Sequence, residues 1–563
     1  MAAYVLRHPH PGAGRRGVSA TAPLNSRPLA RQRQKLESEC AFSLLPANLI
    51  RARKSQVRKT HTWRDIVFSD LGILILLALA KVLLHTLTNG QYGFHRDELA
   101  TLDDARYLAW GYVAYPPITP FIARVALESL GPSLIGVRFF AALAQGMSMI
   151  LAGLMAREMG GTRLAQAVAA LTVGIAPAAL GMGAMFMYVS FDYLWWVLVA
   201  YLTIRLLRSE DPRWWLGIGA VFGLGMMTKY TMAFCAAGIV VGVLLTGTRR
   251  HLLSPWLWGG VALSLLIFLP NLTWQIRHDF ISLEFLSHIH ERDIAWGRTG
   301  DYLVEQLFVS TNPFTIPVWV AGLYFYFFTP QGKRFRLVGW MYVVPLVLFL
   351  WLQGRSYYLA PAYPMLLAAG SILGERWLDS LKARPAQLFR RITWGALAVG
   401  GTVAALLVLP IAPVNSALWN LANEMHDNFV EQIGWPELVE TIADIYTGLP
   451  VEEQSRTGIL TINYGEAGAV NLYGPAYGLP EAISGMNSYW WRVYGHPPPQ
   501  TLIVVGYRRD TATQFFESCE LAGQITNRYG VENEETTYFS NIFVCRGLRD
   551  TWPEFWKDFQ DFG

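Results

Sequence analysis

Tyr92-Gly-Phe-His-Arg-Asp-Glu-Leu-Ala-Thr-Leu-Asp-Asp-Ala-Arg-Tyr-Leu-Ala-Trp-Gly-Tyr112, closed by Tyr115-Pro116-Pro117, decides how the rest of the chain is read. It follows the first long apolar run and concentrates acids, arginines and aromatics at one place. Leu99, Leu102, Ala105 and Leu108/Ala109 recur at helical spacing, so residues 97–109 are expected to form a short amphipathic helix. Pro116 and Pro117 end any helix and favour extended backbone before them. Such a helix would lie in a membrane interface with its apolar side inward and its acids in water. Asp97 and Glu98 stand at its start, where the helix dipole favours acids in any case. The alternative is a catalytic carboxylate held over a membrane cavity, and the rest of the chain favours that alternative.

The 563 residues are 53% hydrophobic and only 15% charged, with a mean hydropathy of +0.27. Charged residues make up about a quarter of an ordinary soluble domain. About eleven apolar stretches follow one another, near 66–88, 133–156, 163–182, 184–206, 213–228, 230–247, 255–275, 311–329, 336–353, 357–375 and 391–411. Their lengths suit a hydrocarbon layer about 30 Å thick. The chain therefore reads as a polytopic α-helical membrane protein.

The loops supply an independent test, since cytoplasmic loops are enriched in Lys and Arg. With residues 1–63 placed inside, the inner loops carry Arg157/Arg163, Arg205/Arg208/Arg213, Arg249/Arg250, Lys333/Arg334/Arg336 and Arg376/Lys382/Arg384/Arg390/Arg391. Every one is basic. An odd number of spans then puts the C-terminal segment outside. The net charge of +5 lies in residues 1–63 and these loops, so it is no nucleic-acid signature.

Three parts are expected. Residues 1–63 form a disordered, basic cytoplasmic tail without a signal-peptide core, or in part an over-extended start of the reading frame. Residues 64–411 form the membrane domain, and 412–563 a small extracytoplasmic α/β domain. In the last, Gly458–Asn463 and Thr501–Tyr507 read as buried strands, Thr513–Ile525 as a helix and Asn541–Cys545 as a further strand. Gly465-Glu-Ala-Gly-Ala resembles a strand-to-helix turn but is too weak a pattern for a nucleotide site. Cys519 and Cys545 share this segment, and a disulfide between them is expected on an oxidising side.

With topology set, the unusual polar residues converge on the outer face. Asp192 is an acid inside the fourth span, Lys229 lies at the outer junction of the fifth and sixth, and Arg355, Tyr357 and Tyr358 precede the tenth. Ionisable groups in a span are costly and face a cavity or a partner. A salt bridge would account for Asp192 alone, and snorkelling for Lys229 or Arg355 alone. Their joint placement points to one charged cavity opening outward. His278, His288 and His290 match no standard zinc spacing, so no metal site is assigned.

Phe94-His-Arg-Asp-Glu-Leu, Leu108-Ala-Trp-Gly-Tyr112 and Pro116-Pro117 resemble the first outer loop of the bacterial dolichyl-phosphate-mannose–protein mannosyltransferase-like family. These are membrane glycosyltransferases of the GT-C fold, among them the glycosyltransferase 39 and 83 groups and the lipid A aminoarabinose transferase. The resemblance continues through Ser190-Phe-Asp192, Leu224–Tyr230 and Tyr357-Tyr-Leu-Ala-Pro-Ala-Tyr-Pro364, covering about residues 66–375 and more loosely the outer segment. It implies an inner-membrane enzyme that takes a sugar from a polyprenyl-phosphate donor. The acceptor would be a glycolipid, an envelope glycan or a protein, approached from outside, with the bilayer as a further partner and no nucleic acid. It also implies roles: Asp97, with Glu98 beside it, and Asp192 as the catalytic acids, and Lys229 as the conserved-type lysine. The chemistry adds Arg355 as a second candidate for the donor phosphate. Arg96, Tyr112, Tyr357 and Tyr358 complete the expected substrate site. The resemblance fixes no cofactor, and a divalent cation is compatible with the chemistry.

A single displacement would invert the anomeric carbon, with a carboxylate as general base and a fixed cation on the departing phosphate. A transporter or lipid flippase is the alternative, but such proteins bind near the midplane and show internal repeats. Here the charges crowd one face and no repeat is evident. Tyr489-Trp-Trp-Arg492 resembles the tryptophan-rich motif of oligosaccharyltransferases but lacks its acid, and is given no role.

Overall fold

The computed structural model describes residues 69–563; the tail expected over 1–63 lies outside the described residues. The first helix, α1 (Asp70–Thr88), starts where Ser69 Oγ accepts from the Gly72 amide at 3.0 Å. The outer segment that follows holds α2 (Arg96–Asp104) and α3 (Ile118–Leu130). Next come α4 (Leu134–Glu158), α5 (Arg163–Gly174), α6 (Pro177–Ala184), α7 (Tyr188–Ser209), α8 (Trp214–Met226) and α9 (Met232–Leu245). The membrane part continues with α10 (Pro255–Arg277), α11 (Ile281–Ala295), α12 (Ile316–Phe328), α13 (Arg336–Trp351), α14 (Tyr363–Ser380) and α15 (Ala383–Val408).

Each of the eleven apolar stretches is helical, but they are not equal. Among the described residues six helices are long and apolar enough to cross a bilayer alone: α1, α4, α7, α10, Gly332–Trp351 and α15. Two further pairs pass only together, α5 with α6 across a bend of 61° and α9 with Gly247–Leu253 across 103°. The first bend falls where Pro177 starts a new helix and cannot continue the old one. Lys81, buried in α1, donates to the carbonyls of Gly174 and Ala179 on either side of that bend, at 2.9 and 3.1 Å. Groups freed by a broken helix are thus satisfied inside the protein, as hydrocarbon requires.

The outer segment corrects three expectations. Helix α2 stops at Asp104 rather than continuing to Ala109. Its acids do not face water: Glu98, Asp103 and Asp104 are buried against arginines, alongside Leu99 and Leu102. The double proline also does not simply end a helix, because Pro117 caps the start of α3, an unforeseen helix.

Beyond α15, α16 (Trp435–Gly448) leads into a five-stranded sheet of order β2-β1-β3-β5-β4. Its members are β1 (Thr457–Thr461), β2 (Ala482–Ile483), β3 (Thr501–Val505), β4 (Phe516–Gln524) and β5 (Asn541–Leu548). The first three are parallel and every residue of β1 and β3 is buried, so continuous apolar runs mark them. β5 runs antiparallel to β3, and β4 to β5. The helix expected over Thr513–Ile525 is instead a short helix, Arg509–Phe515, followed by β4. β4 is held by pairing with β5, where Cys519 stands opposite Cys545 and is disulfide-bonded to it.

Between β1 and β2 lies α17 (Tyr464–Tyr473), capped by Asn463, whose side chain accepts from the Glu466 amide at 2.9 Å. This helix packs on α2 at very close range. A Cβ on Gly465 would sit 2.7 Å from Cβ of Arg96, and one on Gly468 2.7 Å from the carbonyl carbon of Leu99. The glycines of Gly465-Glu-Ala-Gly-Ala therefore form a helix-packing surface. Through it the C-terminal domain reaches the segment between α1 and α3.

Candidate active site

His95 caps α2 in a reciprocal box. Its Nδ1 accepts from the Asp97 amide at 3.2 Å, while Glu98 Oε2 accepts from the His95 amide at 2.8 Å. Burial pushes the His95 pKa below its usual value, against the pull of Asp97. The box fixes the first turn, with Glu98 pointing inward and Asp97 toward a cavity of about 480 Å³. Asp97 keeps 33% of its side chain accessible. Its Oδ1 accepts a hydrogen bond of 2.9 Å from the Tyr464 hydroxyl of α17. Its Oδ2 lies 3.9 Å from His95 Nδ1.

Lys229 lines the same cavity. Helix α8 ends just before it, and its amide donates to the Gly225 carbonyl at 2.8 Å, which sets the turn. The ammonium nitrogen lies 3.8 Å from the ring centre of Tyr358, 5.2 Å from Tyr188 and 5.5 Å from Tyr357. Cation–π contacts of this kind hold a cation without neutralising it. Among the described residues no carboxylate lies within ion-pair distance of it. Phe234, Phe285, Phe349 and Leu352 supply an apolar side to the cavity. One space thus combines a carboxylate, a cation with no ion-pair partner among the described residues and an oily wall.

The family described as dolichyl-phosphate-mannose-protein mannosyltransferase matches residues 114–274. The lipid A galacturonosyltransferase RgtD of Rhizobium johnstonii is 26% identical over 302 residues, 50% of this chain and 61% of that protein. An undecaprenyl phosphate-alpha-4-amino-4-deoxy-L-arabinose arabinosyl transferase of Pseudomonas fluorescens is 28% identical over 302 residues, 49% of this chain and 52% of that protein. The matches thus span between half and two thirds of the length of these relatives. ArnT of Cupriavidus metallidurans, solved with undecaprenyl phosphate bound, superposes with a TM-score of 0.51 at 15% identity, over 84% of this chain and 98% of that one. Its apo state gives 0.52. The chain has the GT-C fold.

Within this GT-C fold the expected site residues separate. Asp97, Lys229, Arg355 and Tyr358 line one cavity, with Tyr357 against Lys229. Glu98 is removed from the catalytic set. Its Oε1 accepts from Arg138 Nε at 2.9 Å and the Phe186 amide at 2.7 Å, and its Oε2 from Arg138 at 2.6 Å and the His95 amide. Both Glu98 and Arg138 are fully buried, so no substrate reaches that carboxylate. Arg355 reaches the cavity, but its fork is committed to Asp293, at 2.5 and 2.8 Å. Arg96 turns away to Glu431 and Glu534. Tyr112 does not line this cavity but borders a second one, and its hydroxyl is shared between the Asp104 and Tyr107 carbonyls, each at 3.1 Å.

Asp192 lies beneath the cavity and does not line it. Its Oδ2 accepts from the Thr231 hydroxyl at 3.1 Å, and Oδ1 has no hydrogen-bond partner among the described residues. It is close enough to Lys229 for the two charges to attract. This proximity makes it a counter-charge for Lys229, and it is not among the residues that line the cavity. Among the described residues no group of three or more His, Cys, Asp or Glu is placed to hold a metal ion.

Four residues in and around the site had been given no role. Arg138 had a signal, being an arginine in an apolar run. Arg492 forms ion pairs with both Asp103 and Asp104, and Tyr464 bonds Asp97. Tyr115 also donates to Asp104 Oδ2 at 2.6 Å. Burial pushes the Asp104 carboxyl up to about 6 against the pull of Arg492 and this hydrogen bond.

Proposed function

We propose that the protein is a membrane glycosyltransferase that moves a sugar from a polyprenyl-phosphate donor to an acceptor on the extracytoplasmic side. The observation that carries this reading is the pairing of Asp97 with Lys229 across one cavity whose other wall is apolar. The names of the relatives, two transferases of sugars in envelope lipids, agree with it.

In this reading Asp97 Oδ2 accepts the proton of the acceptor hydroxyl, while Tyr464 holds Oδ1 and keeps the carboxylate aimed. The acceptor oxygen forms a bond to the anomeric carbon as the bond from that carbon to the phosphate oxygen breaks. The electron pair leaves with the polyprenyl phosphate, and configuration at carbon inverts. Lys229 stabilises the negative charge that grows on the leaving group. Its tyrosine cage positions the ammonium, and the absence of a carboxylate partner among the described residues leaves its charge for the phosphate. Burial disfavours the charged form of Lys229, and the nearby Asp192 charge opposes that. The polyprenyl chain lies along the apolar wall toward the lipid.

The basic inner loops and the Cys519–Cys545 disulfide support a cytoplasmic N-terminus and an extracytoplasmic C-terminal domain over 412–563. Reporter fusions after residues 330 and 415 should then read inside and outside; the same side for both contradicts this orientation. A glycolipid or envelope glycan is favoured as acceptor over protein. Mass spectrometry of envelope lipids and glycans from a deletion strain tests the activity. A sugar missing from one of them, and restored by the wild-type chain, is the expected result. An unchanged envelope under expression conditions overturns the reading.

A further inference from the structure

A second and larger cavity, about 840 Å³, lies beside the first. Its walls come from the turn after α2, the end of α10, the β1–β2 edge of the sheet and the segment 488–500. One side is aromatic. His278 stacks on Trp274 with centroids 4.1 Å apart, and Trp491 is tilted against His278 at 4.8 Å and edge-on to Trp274 at 5.4 Å. The Glu481 carboxylate, also on the lining, is held by Arg106 and by the Tyr107 hydroxyl, each at 2.6 Å. The Glu481 side chain is 57% exposed, so it retains capacity to accept from a ligand.

The two cavities meet at a defined wall. Ser488 lines both. Asp104 faces the first cavity, and its ion-pair partner Arg492 faces the second. Arg492 is neutralised by Asp103 as well, so it offers no free charge to a phosphate. A ligand of this space therefore needs an apolar face for the indole of Trp491 and hydroxyl donors for Glu481. A sugar ring has both, with C–H groups on its faces and hydroxyls around its edge.

We propose that the second cavity binds the saccharide part of the acceptor and presents its hydroxyl past Ser488 to Asp97. The inference rests on the glycosyltransferase reading and goes beyond it by giving the acceptor a separate subsite. Donor and acceptor then occupy different cavities, and the reacting atoms meet at the wall formed by Ser488 and the Asp104–Arg492 pair. This arrangement assigns a role to Tyr489-Trp-Trp-Arg492: Trp491 as the stacking platform and Arg492 as part of the partition.

The test compares wild type with Trp491→Ala, Trp491→Phe and Glu481→Gln in two measurements. One is the sugar added to envelope lipids and glycans in cells, read by mass spectrometry. The other is binding of undecaprenyl phosphate to the purified full-length protein. Trp491→Ala should lower the sugar product at least about tenfold, as expected for loss of an aromatic contact, with undecaprenyl phosphate affinity within about twofold of wild type. Trp491→Phe should restore most of the product, and Glu481→Gln should lower it without affecting the lipid phosphate. Wild-type product from both Trp491→Ala and Glu481→Gln overturns the subsite while leaving the transferase reading intact. Loss of lipid-phosphate binding along with product in Trp491→Ala also overturns it, since Trp491 is then structural. A wild-type chain that adds no sugar removes the transferase reading and this inference together.

Discussion

The Tyr464 hydroxyl of the outer domain donates a 2.9 Å hydrogen bond to Oδ1 of Asp97, 367 residues earlier in the chain. The contact joins a helix after β1 to the first turn of the loop that follows α1. It depends on the close packing of Gly465 and Gly468 on α2, which no larger residue would allow. The outer domain thereby becomes part of the proposed catalytic apparatus.

Tyr464→Phe removes that hydrogen bond and keeps the ring. A hydrogen bond to a charged group contributes about 1.5–3 kcal/mol, so turnover should fall by about tenfold or somewhat more while the protein folds normally. Transfer rates of purified variant and wild type provide the comparison. An unchanged rate would mean that Asp97 is positioned by its helix alone.

Lys229→Ala should weaken undecaprenyl phosphate binding at least about tenfold, because the phosphate loses a charge-assisted contact. Lys229→Arg should recover only part of it, since the wider guanidinium must fit among the Tyr358, Tyr188 and Tyr357 rings. Equal affinity for wild type and Lys229→Ala would assign the lysine to packing against tyrosines and no more.

Glu431 links pH to the stability of the outer segment. Burial pushes its carboxyl up to about 8, with Glu535, Glu534 and Asp427 adding to the shift and Arg96 opposing it. The folded state therefore binds a proton that the unfolded state releases between about 4.5 and 8. Its contribution is present below the lower value and is lost as pH rises through the upper one. Thermal unfolding should show the wild type losing stability from pH 6 to pH 8, and Glu431→Gln losing less. A variant with the same pH dependence as wild type would place the effect elsewhere.

The membrane architecture was legible because hydropathy and loop charge are local properties. Each apolar stretch is helical, although bends at Pro177 and after Leu245 could not be read from composition. That Asp97 and Lys229 share a cavity was reachable because each stands in a short motif at the end of a span. The neighbouring acid was not separable from Asp97 in the sequence. Only the buried Arg138 shows that Glu98 is consumed by structure. Arg492 stood in a noted motif but received no role for a different reason: its partner Asp104 is 388 residues away, and no local pattern records such a pairing. β4 was misread because it lacks the alternating burial of a half-buried strand, and its pairing with β5 overrides its local preference.

The most direct test is the turnover of Asp97→Asn against wild type, with a polyprenyl-phosphate sugar donor and wild-type levels of folded protein. Asparagine preserves the size of the side chain and an oxygen to accept from Tyr464, but it cannot take a proton from the acceptor. The account predicts a loss of at least about 10²-fold in turnover with undecaprenyl phosphate binding retained. An Asp97→Asn enzyme that transfers sugar at the wild-type rate would contradict it.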